Sequence, residues 1–300
     1  MFTGCGTALV TPFNRDLSLD EPTLRLLVRR QIEVGIHFLV PCGTTGESPT
    51  LTRAEHLRVV EVCLEEGQGN TPVLAGAGGY NTAEVIALAQ ELERMGVHGI
   101  LSVTPYYNKP TTEGVYQHYK AIAAATRLPI IVYNVPGRTN VNVAPDTLLR
   151  LAEIENIVGV KEASGAMSQI VSILNRVPAD FAVLSGDDAL TLPMMALGGR
   201  GIISVASNVI PGEMARLAEL CLAGDFAAAR ALHRDLLPLM EINFIETNPI
   251  PVKAAMGLLN LLQPVFRLPL VPPSPENLEK IRALLKSRRM IEGSYAAVRN

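Results

Sequence analysis

Short apolar runs alternate with amphipathic stretches, and the alternation repeats eight times. The runs cover 7–11, 37–42, 72–76, 99–103, 129–133, 157–161, 181–185 and 201–205. Near-continuous hydrophobicity of this kind marks parallel strands buried on both faces. Helical patterns lie between them. One opens at Asp20-Glu21-Pro22, with an acid at the cap and an early proline. Another opens at Thr52, with Glu55 three residues on as a capping box. Others cover 82–95 and 112–125, or begin after Ala144-Pro145-Asp146 and after Ile210-Pro211-Gly212. Eight strand–helix units with short loops predict a (β/α)8 barrel over 1–222 rather than an open doubly wound sheet. No GxGxxG follows the first run, which lowers a dinucleotide-binding reading further. Helical patterns at 225–244, 251–262 and 275–285 predict a C-terminal helical region over 223–300, packed on the barrel.

Composition narrows the class. The 300 residues suit one barrel with an appendage, and 48% hydrophobic against 18% charged residues can bury a large core. The net charge of −3, the absence of Trp and the lack of a long basic run argue against nucleic acid as a partner. The cluster Lys286-Ser287-Arg288-Arg289 reads as a solvated helix end. No basic segment followed by an apolar stretch comes after Met1, and no apolar run reaches about 18 residues. No membrane partner and a cytoplasmic location are therefore expected. Cys5, Cys42, Cys63 and Cys221 form no CxxC pair and read as small buried hydrophobes. The histidines have no HExxH spacing, Ser185-Gly186-Asp187-Asp188 reads as a loop, and no metal is expected.

In such a barrel the chemistry gathers at the C-terminal ends of the strands. Of six lysines, only Lys161 closes an apolar strand. Alternation places it on one face with Gly159 and Ile157, leaving Val158 and Val160 toward the outer helices. Burial penalises an ammonium ion, and a neutral amine attacks a ketone to form an imine. A structural ion pair with Glu162 or Asp187 stays open as the alternative. Tyr133 shares a face with Ile131 and could shuttle protons, or simply hydrogen-bond to backbone. Thr44 and Thr45, bracketed by Gly43 and Gly46, could bind a carboxylate, although such loops are also ordinary turns. Arg138 could clamp a carboxylate with its fork of donors, or lie idle on the surface.

These residues sit in Gly43-Thr44-Thr45-Gly46-Glu47, Thr104-Pro105-Tyr106-Tyr107-Asn108, Tyr133-Asn134-Val135-Pro136-Gly137-Arg138-Thr139 and Val160-Lys161-Glu162-Ala163. With Leu184-Ser185-Gly186-Asp187-Asp188 and Asn248-Pro249-Ile250-Pro251-Val252-Lys253, they run in the order found in one family. The chain resembles the dihydrodipicolinate synthase family of class I, pyruvate-dependent aldolases over nearly its whole length. The resemblance implies that Lys161 forms an imine with pyruvate and that Tyr133, Thr44 and Tyr107 relay protons. Tyr107 would reach in from a neighbouring subunit, in a homotetramer built as a dimer of dimers. Thr45, Gly186 and the backbone of Ile203 would bind substrate, and Arg138 the carboxylate of L-aspartate 4-semialdehyde. No external cofactor is implied, because the imine is itself the electron sink. Ser48, His56, Glu84 and Tyr106 match the family's lysine-inhibition site. Arg53 and Tyr80 depart from the sensitive pattern, so weak or absent inhibition by lysine is expected. A sibling aldolase acting on N-acetylneuraminate or a 2-keto-3-deoxy-sugar acid is the nearest alternative. A barrel that only binds a metabolite is the alternative from another class.

Overall fold

The computed structural model describes residues 2–291. The strands are β1 Gly4–Ala8, β2 Phe38–Val40, β3 Leu74–Gly76, β4 Gly99–Val103, β5 Ile130–Asn134, β6 Ile157–Glu162, β7 Ala182–Ser185 and β8 Gly201–Ser204. They pair in parallel in the order β2-β1-β8-β7-β6-β5-β4-β3. The ring closes between β2 and β3, where the Leu39 N–H donates to the Pro72 carbonyl and the Gly76 N–H to the Pro41 carbonyl, each at 2.9 Å. Helices alternate with the strands, so the architecture is the (β/α)8 barrel that the eight apolar runs predict.

Two helices fall where the pattern sets them, at Thr82–Met95 and Thr112–Ala125. Each starts at a polar cap, Asn81 and Thr111, whose side chain accepts a hydrogen bond from a first-turn N–H that would otherwise lack a partner. The capping box of Thr52 and Glu55 also forms, at the head of Arg53–Gly67. Side chains alternate along the strands as the period of two requires. Phe38, Val40, Leu101, Ile131, Leu184 and Ile203 fill the barrel interior, while Leu39, Ile100, Val132 and Ile202 join the layer under the helices. Gly6 admits one of the largest of these. A Cβ there would lie 2.1 Å from the Phe38 ring, so the barrel closes only around a glycine.

Two expectations about the strands are corrected. The first strand runs Gly4–Ala8, three residues earlier than the apolar run 7–11. The glycines that weaken its sequence signal make room for the His37 and Phe38 side chains of the neighbouring strand. Beyond Ala8, the Val10 N–H donates to the Asn208 side chain at 3.1 Å instead of a strand partner. In β6, Gly159 and Lys161 do share the inner face, but Ile157 joins the outer layer and Val158 packs against the interior cluster. The cause is a register shift: Ile130 pairs with Ile157, yet Ile131 pairs with Gly159. One extra residue on β6 reverses the alternation below it.

After the helix Pro211–Leu222 the chain forms Phe226–Glu241, Ile250–Leu258 and Pro275–Ser287. Phe226–Glu241 packs on Pro211–Leu222, and Ile250–Leu258 packs on Pro275–Ser287 and on the turn after β8. The second of these ends sooner than the pattern 251–262 predicts, because Asn260 turns the backbone to a left-handed φ of 57°. Residues 292–300 of the expected C-terminal region lie outside the described residues. Among the described residues, all four cysteines are buried and unbonded, and no helix is long and apolar enough to cross a membrane.

Candidate active site

At the C-terminal ends of β2, β4 and β5 lies a cleft of about 310 Å³, with Thr44, Ser48, His56, Tyr106, Tyr133 and Arg138 on its wall. Lys161 does not line this cleft but adjoins it. The β5–β6 register sets Tyr133 opposite Lys161 and Asn134 opposite Glu162. Both Tyr133 and Lys161 are therefore directed into the barrel, and the Lys161 Nζ stands 4.1 Å from the centre of the Tyr133 ring. The side chain is 5% exposed and makes no ion pair or hydrogen bond among the described residues.

The candidate counter-ions are engaged elsewhere. Glu162 faces the opposite side of β6, accepting from the Asn134 Nδ2 at 2.9 Å and from the Ser164 N–H at 2.7 Å. Asp187 accepts from the Ala189 N–H at 2.9 Å. The ion-pair reading of Lys161 is thereby set aside. Gly186 keeps room for the amine. A Cβ at 186 would lie 3.2 Å from the Lys161 Cε and 2.6 Å from the Ala163 Cβ. Ile203 is fully buried in the interior cluster, two strands from Lys161.

The two threonines have different settings. Thr44 is half-buried on the cleft wall. Thr45 is 2% exposed, and its Oγ1 accepts from the Asn248 Nδ2 at 2.9 Å. The Asn248 carbonyl in turn accepts from the exposed Arg138 through Nη2 at 3.0 Å. Tyr107 is not brought to Lys161 of its own chain. It is 90% exposed, on backbone with a left-handed φ of 66°.

Of the residues matching the lysine-inhibition site, Ser48, His56 and Tyr106 line the cleft, Glu84 is exposed, and Tyr80 meets Tyr106 edge to face at 5.1 Å. Burial, with Tyr80 and Glu84 adding to it, pushes the Tyr106 phenol up. Arg53 is paired with Glu91 at 2.9 Å. The His56 Nε2 lies 2.9 Å from the Gly76 carbonyl, and burial pushes its pKa down to about 4. An unfolded histidine binds its proton near pH 6.5, so the unfolded state gains protons first on acidification. This contribution to stability is complete above pH 6.5 and is lost as the pH falls toward 4. It amounts to about 2 kcal/mol between pH 7 and pH 5. Denaturant titrations at the two pH values should show His56→Gln losing that much less stability than the parent. An equal loss in both would contradict the burial argument.

Three residues of the mouth escape a reading of the sequence for chemistry. One is Asn248, which bridges Thr45 and Arg138. The others are Glu47 and Lys253, whose Oε1 and Nζ lie 2.5 Å apart with both side chains fully buried. Lys253 also donates to the Thr11 carbonyl at 3.1 Å and the Val265 carbonyl at 2.6 Å. Burial pushes its ammonium pKa down and the Glu47 carboxylate opposes that. A signal for Lys253 was present. It is the lone charge in the apolar stretch Pro249-Ile250-Pro251-Val252-Lys253-Ala254-Ala255-Met256, and charges so placed are paired when buried.

Residues 1–288 match the profile of the dihydrodipicolinate synthetase family. The chain is 54% identical over 295 residues to the 4-hydroxy-tetrahydrodipicolinate synthase of Koribacter versatilis, covering 98% of each chain. It is 52% identical over 296 residues to the protein of that name from Chloroherpeton thalassium, again covering 98% of each. The crystal structure of the dihydrodipicolinate synthase from Thermotoga maritima superposes with a TM-score of 0.95 at 46% identity, over 97% of this chain and 100% of that one.

Proposed function

Because the chain belongs to the dihydrodipicolinate synthetase family, we propose that its barrel mouth condenses pyruvate with L-aspartate 4-semialdehyde to give 4-hydroxy-tetrahydrodipicolinate. The product serves diaminopimelate and lysine biosynthesis in the cytoplasm, and the enzyme is a lyase of the class I aldolase type. One observation carries the choice of nucleophile. Two lysines are buried at the mouth: Lys253 has its three donors used by Thr11, Glu47 and Val265, whereas the Lys161 Nζ has no hydrogen-bond or ion-pair partner among the described residues and lies beside Tyr133.

The Lys161 Nζ adds to the C2 carbonyl of pyruvate, and loss of water gives the imine. Tyr133 and Thr44 pass the protons that this addition and dehydration require. Thr45 and the Ile203 backbone hold the pyruvate carboxylate, and Gly186 leaves space for the adduct. Loss of a C3 proton converts the imine to an enamine. Its C3 attacks the aldehyde carbon of the second substrate, whose carboxylate Arg138 binds. The amine of that substrate then adds to the imine carbon and expels the Lys161 amine, closing the ring.

The exposure of Tyr107 supports a role across a subunit boundary, where its phenol completes the relay of a second copy. The working unit in this reading is a dimer, paired again into a tetramer. Tyr80 packs edge to face on the cleft residue Tyr106, and Arg53, though paired with Glu91, brings a positive charge near His56, so in this reading lysine binds there weakly or not at all. The assay that tests the function supplies pyruvate with L-aspartate 4-semialdehyde, and in parallel N-acetylneuraminate. Turnover is expected only with the first pair; cleavage of the sugar acid instead would assign the chain to a sibling activity. Repeating the assay with millimolar lysine should leave the rate nearly unchanged, and strong inhibition contradicts the account of Arg53 and Tyr80.

A further inference from the structure

The loop Gly43-Thr44-Thr45-Gly46-Glu47 is held from three sides. From the segment after β1, the Thr11 Oγ1 donates to the Gly46 carbonyl at 2.7 Å. From the segment before Ile250–Leu258, Asn248 donates to Thr45. From that helix itself, Lys253 donates to the Glu47 carboxylate, whose other oxygen accepts from the Arg267 N–H at 3.3 Å. Glu47 is also bound into the loop's backbone, because its N–H donates to the Thr44 carbonyl at 3.1 Å while its φ is a left-handed 54°. A residue without glycine's freedom stays in that region only where its surroundings fix it.

We propose that Glu47 and Lys253 are a positioning pair that sets the place of Thr44 and Thr45 against pyruvate, making the helix Ile250–Leu258 a working part of the active site. The proposal rests on the roles given above to Lys161, Thr44 and Thr45. Cohesion alone does not account for a pair of this kind. Desolvating two charges offsets most of their attraction, and apolar side chains of similar volume hold a core at least as well. What the pair supplies that apolar side chains do not is direction. An ammonium with three acceptors in fixed places, Thr11 from the segment after β1, Glu47 from the loop and Val265 from beyond the helix, fixes the loop relative to the barrel and the C-terminal region together. Lys253 has no donor left over for substrate, so it acts through the loop.

The test is the double variant Glu47→Gln/Lys253→Met, which removes both charges together and leaves neither buried alone. Its fold is checked by circular dichroism and its kinetics are measured with pyruvate and L-aspartate 4-semialdehyde. A displaced loop should raise the KM for pyruvate by at least about tenfold, since misplacement by an ångström costs up to a hundredfold. The KM for the semialdehyde should rise severalfold less than that for pyruvate, because Arg138 touches neither member of the pair and meets the loop only through Asn248. A folded double variant with parental constants for both substrates overturns the proposal. So does a uniform loss that follows the folded fraction. Glu47→Gln alone, which keeps an acceptor for Lys253, is measured by the same criterion, and failure of both variants to fold also overturns the proposal by assigning the pair to the fold. Borohydride trapping of the parent with pyruvate separates this outcome from an error in the underlying reading. A parent that forms no adduct refutes the role of Lys161, whereas a trapped parent with an unaltered double variant refutes only the pair.

Discussion

Lys161→Met is expected to lower kcat by roughly 10⁴-fold or more, because the amine that forms the covalent intermediate is gone and no other group can take its place. Methionine nearly conserves the volume, so the barrel interior around Tyr133 and Leu184 stays packed. The protein should remain folded with an unchanged or higher melting midpoint, since a buried amine without an ion-pair partner adds nothing to cohesion. Steady-state rates with saturating pyruvate and the semialdehyde, beside a melting curve, check both halves. A folded variant that keeps a tenth of the parental rate contradicts the account, because residual binding and proton transfer alone do not reach that level.

Lys253→Met is expected to act on stability before anything else. Removing this ammonium leaves the Glu47 carboxylate fully buried, with the Arg267 N–H at 3.3 Å as its remaining donor. It also takes a donor from the Thr11 and Val265 carbonyls. Breaking a buried pair by deleting one partner costs about 3–5 kcal/mol. For a chain of this size that corresponds to a midpoint lower by roughly 5–8 °C. The double variant Glu47→Gln/Lys253→Met should recover most of the loss. Denaturant unfolding of the two variants measures the difference, and a single variant as stable as the double would contradict the view that the cost is an unpaired charge.

Parts of this architecture were legible in the sequence because their causes are local. Thr82–Met95 and Thr112–Ala125 announce themselves by a polar cap and a 3.6-residue apolar period, and both are short-range. Lys161 was legible as an anomaly, a charge closing an apolar run. Its nearness to Tyr133 depends on which residues of β5 and β6 pair, and the sequence does not write that register. The same blindness misplaced Ile157 and Val158, whose faces are set by one unpaired residue against β5. Gly4 and Gly6 read as poor strand formers, yet they are required by rings on the next strand. The links from Asn248 to Thr45 and from Lys253 to Glu47 join residues about two hundred positions apart, and periodicity carries no trace of such contacts. The 90% exposure of Tyr107 and its left-handed backbone are features of the folded chain that its motif does not write.

Reduction of the protein with borohydride in the presence of pyruvate, followed by peptide mass spectrometry, bears most directly on the amine at the centre of this chemistry. A single pyruvate-derived adduct is predicted, on the peptide containing Lys161 and absent from Lys161→Met. No adduct, or an adduct on Lys253 with Lys161 unmodified, would contradict the assignment.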